Sequence, residues 1–261
     1  MNLVLYFTGT GNCLHCAKMI SEKIEDTEII RLDIKTDLKN LQEKLDLASK
    51  VGIILPVYAG TLPYLARDIL ERLKFNPACY LYSISTCAGS DMSFHYDLNE
   101  IVNKNSKRSI DKSFTMIYPS NFQTNMAPKD EDAVRQIIQK AKADMQRVIG
   151  EIKSEAKKEV KSKKFMSSLA GMSLKLAVKK DRDRNFYADE SCISCSMCAK
   201  ACPVANITMK DGKPQWHNNC EACMACIGIC PPKAIQYKEK TKTWGRYLNP
   251  EIDKKELFIE E

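Results

Sequence analysis

Residues Leu3 to Asn12 read L-V-L-Y-F-T-G-T-G-N, and Cys13 to Lys23 continue with helical composition. The apolar run Leu3 to Phe7 has the make-up of a buried strand, so the segment predicts strand, glycine-rich turn, helix. Gly9 and Gly11 let the backbone curl close to an anion. The N–H groups of the turn point inward, and the start of the helix adds a favourable dipole. Thr8, Thr10 and Asn12 can add side-chain donors. The motif is not a Walker loop, because no Gly-Lys-Ser/Thr follows. Nor is it G-x-G-x-x-G, because Cys13 and Leu14 follow Asn12. The chemistry favours a phosphate; an ordinary βα turn is the plainer alternative.

Working outward, the alternation continues. Strands are expected over Glu28 to Ile34, Val51 to Tyr58, Cys79 to Ser85 and Phe114 to Tyr118. Between them, helices are expected over Leu38 to Ala48, from Pro63 to Leu73 and over Phe94 to Asn103. A long final helix is expected from Asp130 to Lys157, with Val134, Ile137, Ile138, Ala141, Met145, Val148 and Ile152 at helical spacing. Five strands alternating with helices make a doubly wound parallel α/β sheet. Ligands of such sheets sit at the carboxyl ends of the strands. Three loops there stand out: Thr8 to Asn12, Tyr58 to Thr61 and Thr86 to Ser90. The first suits a phosphate. The other two carry Gly, small residues and nearby aromatics (Tyr58, Phe94, Tyr96), which suit a flat ring. A phosphate with a planar heterocycle describes FMN.

A second signal lies at Cys192 to Pro231, which reads C-I-S-C-S-M-C-A-K-A-C-P and later C-E-A-C-M-A-C-I-G-I-C-P. Each half is C-x2-C-x2-C-x3-C-P, and eight of the twelve cysteines lie here. This doubled spacing is the bacterial ferredoxin pattern and predicts two [4Fe–4S] clusters. Because the fourth cysteine of each run ligates the opposite cluster, Cys192, Cys195, Cys198 and Cys230 are expected to hold one. Cys220, Cys223, Cys226 and Cys202 are expected to hold the other. Zinc would need only one set of four ligands, and a disulfide scaffold does not suit a cytoplasmic chain. Cys13-Leu14-His15-Cys16 is a further C-x2-C, but it lacks an aromatic and Pro surround and reads as two small helix residues. Cys79 reads as strand core. His15, His95 and His217 have no metal spacing.

The length of 261 residues exceeds a two-cluster ferredoxin and allows about two domains. The opening has no basic region followed by an apolar core and cleavage site, so no secretory leader is expected. No run of about eighteen apolar residues exists, so no spanning helix is expected. Thiolate clusters then point to the cytoplasm. Of the net charge of +7, the stretch Glu151 to Arg184 carries +6. So local an excess argues for a contact surface rather than for nucleic-acid binding. Within it, Phe165, Leu169, Met172 and Leu176 lie at the spacing of an amphipathic helix with a basic polar face. That helix could link the domains or dock an acidic redox partner or a membrane surface. The tail after Gly245 shows no site chemistry, and Leu257, Phe258 and Ile259 are expected to pack on a domain surface.

Tyr6 to Asn12, then Pro56-Val57-Tyr58-Ala59-Gly60-Thr61-Leu62-Pro63, then the doubled cysteine run together resemble the flavodoxin–ferredoxin two-domain fusions of anaerobic bacteria and archaea. The resemblance implies a flavodoxin-like domain over residues 1–158 with strand order 2-1-3-4-5. It implies a basic linker over 159–184, an α+β 2[4Fe–4S] ferredoxin domain over 185–240 and a tail over 241–261. It further implies that Thr8, Gly9, Thr10, Gly11 and Asn12 wrap the FMN phosphate. Cys13, where such loops often carry Ser or Thr, would be a poorer donor. Pro56, Tyr58, Ala59, Gly60 and Thr61, with Thr86, Cys87, Ala88 and Gly89, would frame the isoalloxazine, and Gly60 would be free to flip its peptide. The expected function is electron relay between two clusters, FMN and a partner redox protein. A flavin-dependent reductase of quinone or nitro type, and a docking or sensor subunit without FMN, are the alternatives.

Overall fold

The alternating apolar runs close into one parallel sheet in a computed structural model, which describes residues 1–158 and 183–259. The strands are β1 (Asn2–Tyr6), β2 (Thr27–Arg31), β3 (Lys50–Pro56), β4 (Tyr80–Cys87) and β5 (Lys112–Ile117). The helices between and after them are α1 (Asn12–Ser21), α2 (Leu38–Leu47), α3 (Tyr64–Leu70), α4 (Phe94–Ser106) and α5 (Glu131–Lys153). The sheet order is β2-β1-β3-β4-β5, with every neighbouring pair parallel. That is the flavodoxin-like order, with a switch point between β1 and β3. Leu3, Leu5, Ile53, Ile54 and Leu55 are wholly buried, because helices cover both faces of the central strands.

Some elements end earlier than their apolar patterns suggest. β2 stops at Arg31 rather than Ile34 because Asp33 turns the chain. Its carboxylate accepts the Lys35 N–H at 2.8 Å, and its own N–H donates to Thr36 Oγ1 at 2.9 Å. Ile34 is left half exposed, and its N–H reaches Pro203 O in the cysteine-rich part of the chain at 2.9 Å. Helix α2 starts where Asp37 accepts the N–H groups of Lys39 and Asn40, and α5 where Asp130 accepts that of Ala133.

The second lobe is built from β6 (Phe186–Ala188), α6 (Met197–Lys200), β7 (Ile207–Lys210), β8 (Lys213–Trp216), α7 (Ala225–Ile229) and β9 (Ile235–Tyr237). β6 pairs antiparallel with β9, and β7 with β8. The sequence repeat is visible in the backbone. Ser194, Ser196 and Ala205 of the first half have φ of 58°, 60° and 50°, and their counterparts Ala222, Met224 and Lys233 have 52°, 63° and 57°. Non-glycine residues adopt this region rarely, so its recurrence at equivalent places marks one loop design used twice. The basic segment 159–182, where the amphipathic helix is expected, lies outside the described residues.

The two lobes share one apolar core: Ala201, Cys223, Ala225 and Ile229 pack with the sheet lobe's interior. The tail crosses the seam. Arg31 Nη1 donates to Leu257 O at 2.9 Å and Phe258 O at 3.0 Å, and Ile259 N–H donates to Lys200 O at 2.8 Å. Leu257 is buried, in keeping with the docking expected of Leu257, Phe258 and Ile259.

One buried group gives the sheet lobe an acid limb. His95 on α4 shares a 2.9 Å hydrogen bond with Ser83 Oγ, and burial outweighs nearby Asp91 to push its imidazole from 6.5 down to about 4. Because the folded value is depressed, this contribution to stability is present above pH 6.5 and is lost as pH falls toward 4. It is worth on the order of 3 kcal/mol. His95→Gln is expected to flatten the fall in stability between pH 6.5 and 4, measured by denaturant unfolding at successive pH values.

Candidate cofactor site and metal centres

At the carboxyl end of β1 the chain turns through Thr8 to Asn12. Thr8 Oγ1 accepts the Gly11 N–H at 3.0 Å, and Gly11 takes the left-handed φ of 95° that starts α1. No side chain caps α1, and no acidic residue lies in its first turn. Its positive end is therefore open to an anion. Thr10 Oγ1 accepts from Asn121 Nδ2 at 3.0 Å, which leaves its hydroxyl proton to donate.

The Asn12 side chain has a different task from the phosphate donor expected of it. Its Oδ1 accepts Tyr247 Oη at 2.6 Å and Asn249 Nδ2 at 3.1 Å, both from the tail, and its Nδ2 reaches Pro119 O at 3.5 Å. Asn249 N–H also donates to Thr10 O at 2.8 Å. The tail thus straps the loop from outside, a role its sequence does not reveal.

Of the fifteen residues proposed from sequence for flavin, all but Gly11, Gly60 and Gly89 line one cavity of about 620 Å³. That volume lies in the range of small-molecule sites. Ala59 and Gly60 form a tight turn closed by Tyr58 and Thr61, with φ of 51° and 81°. Gly60 faces Met92, and its carbonyl accepts from Ser93 Oγ at 3.0 Å. Sequence reasoning missed the loop after β5, from which Ser120, Asn121, Phe122 and Thr124 join the wall. Phe122, 44% exposed, supplies a flat apolar surface that the Thr86 to Ser90 loop lacks. The rule that ligands sit at strand carboxyl ends, applied to β5 as to the others, would have found it. The far wall comes from the second lobe through Phe186, Glu221, Ala222, Met224 and Tyr237.

Cys13 in the cavity wall and Cys16 are buried thiols, while Cys87 in the same wall is half-buried. Cys13 shares a 3.2 Å contact with Thr86 Oγ1, and burial raises its pKa well above the ordinary value. Cys16 is pushed up to about 12 by burial. Neither forms the thiolate that a redox C-x2-C needs. His15 bonds Tyr118 Oη at 2.8 Å, and His95 does not line the cavity.

The eight cysteines of the doubled run are free thiols. Burial raises the Cys198 thiol, with Cys230 and Cys195 adding to the rise, and it raises Cys230, with Cys195 and Cys192 adding to it. Cys223 feels Cys202 and Cys220, while Cys226 feels Cys220, Cys223 and Cys202 ahead of Cys198. Cys192, Cys195, Cys198 and Cys230 together line a small apolar cavity with Ile193, Met197, Met209 and Ile235. Among the described residues no group of three or more His, Cys, Asp or Glu could hold a single metal ion. A multi-iron centre makes another demand, because each thiolate holds a different iron and the sulfurs stand around a shared space.

The surroundings suit such centres. Burial raises Cys198 to about 11 and lifts Cys202, Cys223 and Cys226, so their thiolates need a compensating cation. Backbone N–H groups already point at the sulfurs: Asn206 N–H lies 3.2 Å from Cys202 Sγ, and Ala222 N–H lies 3.3 Å from Cys220 Sγ.

The second set abuts the first cavity. A Cβ built on Gly9 would lie 2.1 Å from Cys223 O, so the turn and the Cys223 backbone are in direct contact. Glu221, between Cys220 and Cys223, accepts the N–H groups of Tyr64 at 3.1 Å and Leu65 at 2.6 Å and so caps α3. No helix among the described residues is long and apolar enough to cross a membrane.

No family model and no curated protein matches the chain. Several solved structures are similar to it. A flavoprotein in complex with FMN from Lactobacillus acidophilus is 15% identical, covering 44% of this chain and 91% of its own, with a TM-score of 0.35. General stress protein 14 in complex with FMN from Treponema denticola is 12% identical, covering 57% and 97%, with a TM-score of 0.41. An NADPH-quinone reductase from P. pentosaceus is 12% identical, covering 56% and 97%, with a TM-score of 0.34.

Proposed function

We propose that the chain is an electron-transfer protein that relays single electrons between two [4Fe–4S] clusters and FMN, and on to a partner redox protein. The observation that carries this reading is the seam itself. The Gly9 turn touches the backbone of Cys223, one of four cysteines whose spacing suits a cluster. One cavity is walled by both lobes. Clusters pass one electron at a time and a flavin takes one or two, so their adjacency couples the two kinds of chemistry.

The chain's own residues divide the work. The backbone of Thr8 to Cys13 and the Thr10 hydroxyl bind the phosphate, and Tyr58 to Thr61, Thr86 to Ala88 and Phe122 border the ring. The second lobe closes the cavity against water. Cys220, Cys223, Cys226 and Cys202 hold the inner cluster. Cys192, Cys195, Cys198 and Cys230 hold the outer one, at which Cys195 is exposed. An acidic partner would dock on the basic segment 159–184, and the thiolate ligands suit a reducing cytoplasm.

Anaerobic purification followed by iron, sulfide and flavin analysis tests the reading. About eight irons and one FMN per chain are expected. Two irons or fewer would overturn the cluster assignment, and full iron with no flavin after added FMN would overturn the relay. The tail strap gives a finer expectation. Asn249→Ala removes a donor to Asn12, worth about 1 kcal/mol, and should weaken FMN binding by roughly five- to tenfold. Fluorescence titration of the deflavinated chain reads the affinity, and iron content should not change.

A further inference from the structure

Residues Arg246 to Asn249 form a strap that bonds to both lobes. At its first residue the strap is pinned to the second lobe. Arg246 Nη2 donates to Lys233 O at 3.2 Å, Ile235 O at 3.0 Å and Gln236 Oε1 at 3.0 Å, and Nη1 donates to Thr241 O at 3.0 Å. The Lys233 N–H in turn donates to Cys230 O at 3.1 Å, so Arg246 holds the turn that follows the last cysteine of the doubled run. The next two residues lie against α7, which carries Cys226 and leads to Cys230. A Cβ built on Gly228 of that helix would lie 2.7 Å from Tyr247 O and 2.9 Å from Leu248 Cδ2. Only a residue without a Cβ allows so close an approach.

On its other side the strap meets the sheet lobe. Tyr247 and Gln123 exchange two hydrogen bonds: the Tyr247 N–H donates to Gln123 Oε1 at 2.8 Å, and Gln123 Nε2 donates to Tyr247 O at 3.1 Å. Both residues are buried, so water does not replace either partner. Gln123 alone among residues 120–125 does not line the cavity. It bonds to the strap while its neighbours Asn121, Phe122 and Thr124 form cavity wall, and Asn121 Nδ2 donates to Thr10 Oγ1 at 3.0 Å. The Tyr247 hydroxyl donates to Oδ1 of Asn12, the first residue of α1, at 2.6 Å. One buried tyrosine therefore fixes both the anion turn and the loop after β5, and its own place is fixed by the cysteine lobe.

We infer that Tyr247 and Gln123 are positioning residues for the flavin site, and that through Arg246 they make FMN affinity depend on an intact outer cluster. This rests on the reading that the chain holds FMN and two [4Fe–4S] clusters. Metal binding orders the loops that supply its ligands. With Cys230 unligated, the turn from Cys230 to Lys233 loses its anchor, and Arg246 loses the ordered carbonyls that hold the strap. FMN binding then has to order the Asn12 turn and the Gln123 loop itself, which lowers its affinity. The coupling is one free energy shared by two sites, so bound FMN also steadies the outer cluster by the same factor.

The test is an anaerobic fluorescence titration of FMN into the deflavinated, cluster-loaded full chain, with paramagnetic resonance reporting which cluster is present. Tyr247→Phe keeps the ring and removes one hydroxyl, and should weaken FMN binding about fivefold. Cys230 is not part of the cavity wall, yet Cys230→Ala should weaken FMN binding about tenfold while the inner cluster signal remains. In the double variant the strap is already released, so the Tyr247 hydroxyl adds nothing and the loss stays near tenfold. Wild-type affinity in Cys230→Ala or in Tyr247→Phe, or a double variant whose losses multiply to about fiftyfold, overturns the inference. Arg246→Gln leaves all eight cysteines in place and decides the matter if Cys230→Ala loses both clusters. It should weaken FMN binding about fivefold at full iron content, and Arg246→Lys less; unchanged affinity in Arg246→Gln overturns the coupling. A wild-type chain that takes up no FMN or no iron overturns the relay reading instead, and flavin and iron analysis tell the two failures apart.

Discussion

Cys202→Ala is expected to halve the iron content, from about eight to about four atoms per chain, and to remove the cluster next to the cavity. In sequence Cys202 closes the first cysteine run. In the fold it lies among Cys223 and Cys226 of the second run, buried, with the N–H groups of Val204, Asn206 and Ile207 directed at its sulfur. An alanine there leaves three thiolates on the inner side and all four outer ligands in place. The surviving signal should therefore be the one that Cys230→Ala removes. Iron and sulfide analysis with paramagnetic resonance of the two variants side by side checks this. Loss of the outer cluster on replacing Cys202 would show that the ligand sets are not crossed. Electron exchange with the flavin should slow far more in Cys202→Ala than in Cys230→Ala, because Cys223, expected to share a cluster with Cys202, touches the Gly9 turn.

Gly9→Ala should loosen the seam between the lobes. A Cβ at this position meets Cys223 O at 2.1 Å and Cys223 Cβ at 2.9 Å, so one of the two backbones has to move by about an ångström. Neither is free to do so. The turn is held by the Thr8–Gly11 bond and by Asn249, and the Cys223 loop is held through Glu221 at the start of α3. Overpacking of this kind costs about 1–3 kcal/mol, which for a chain of this size lowers Tm by roughly 2–10 °C. The same movement displaces the turn's N–H groups, so bound flavin should fall with stability. Gly89→Ala is the control. A Cβ there meets nothing within 4 Å and should leave both Tm and flavin content unchanged. Thermal unfolding and flavin analysis of the two variants decide the matter; equal behaviour would mean the lobes are not in contact at Gly9.

The parts of this molecule that can be read without coordinates are those governed by neighbours in sequence. The switch between strand and helix periods from Leu3 to Lys153 announces a parallel sheet, and the turn at Thr8 to Asn12 announces an anion site. Both follow from backbone sterics and burial that repeat every two or 3.6 residues. The C-x2-C-x2-C spacing is equally local, because three ligands of one cluster must come from one short loop. What folding adds lies between residues far apart in the chain, where no periodicity reports. Asn12 turns to Tyr247 and Asn249, more than two hundred residues on. Glu221 leaves its loop to cap α3, accepting the N–H groups of Tyr64 and Leu65. Phe122 reaches the cavity only because β5 ends beside β4. Each of these contacts is chosen by how two preformed surfaces fit together. Local sequence carries the shape of each surface, and only their packing determines which polar groups are left to pair across the seam.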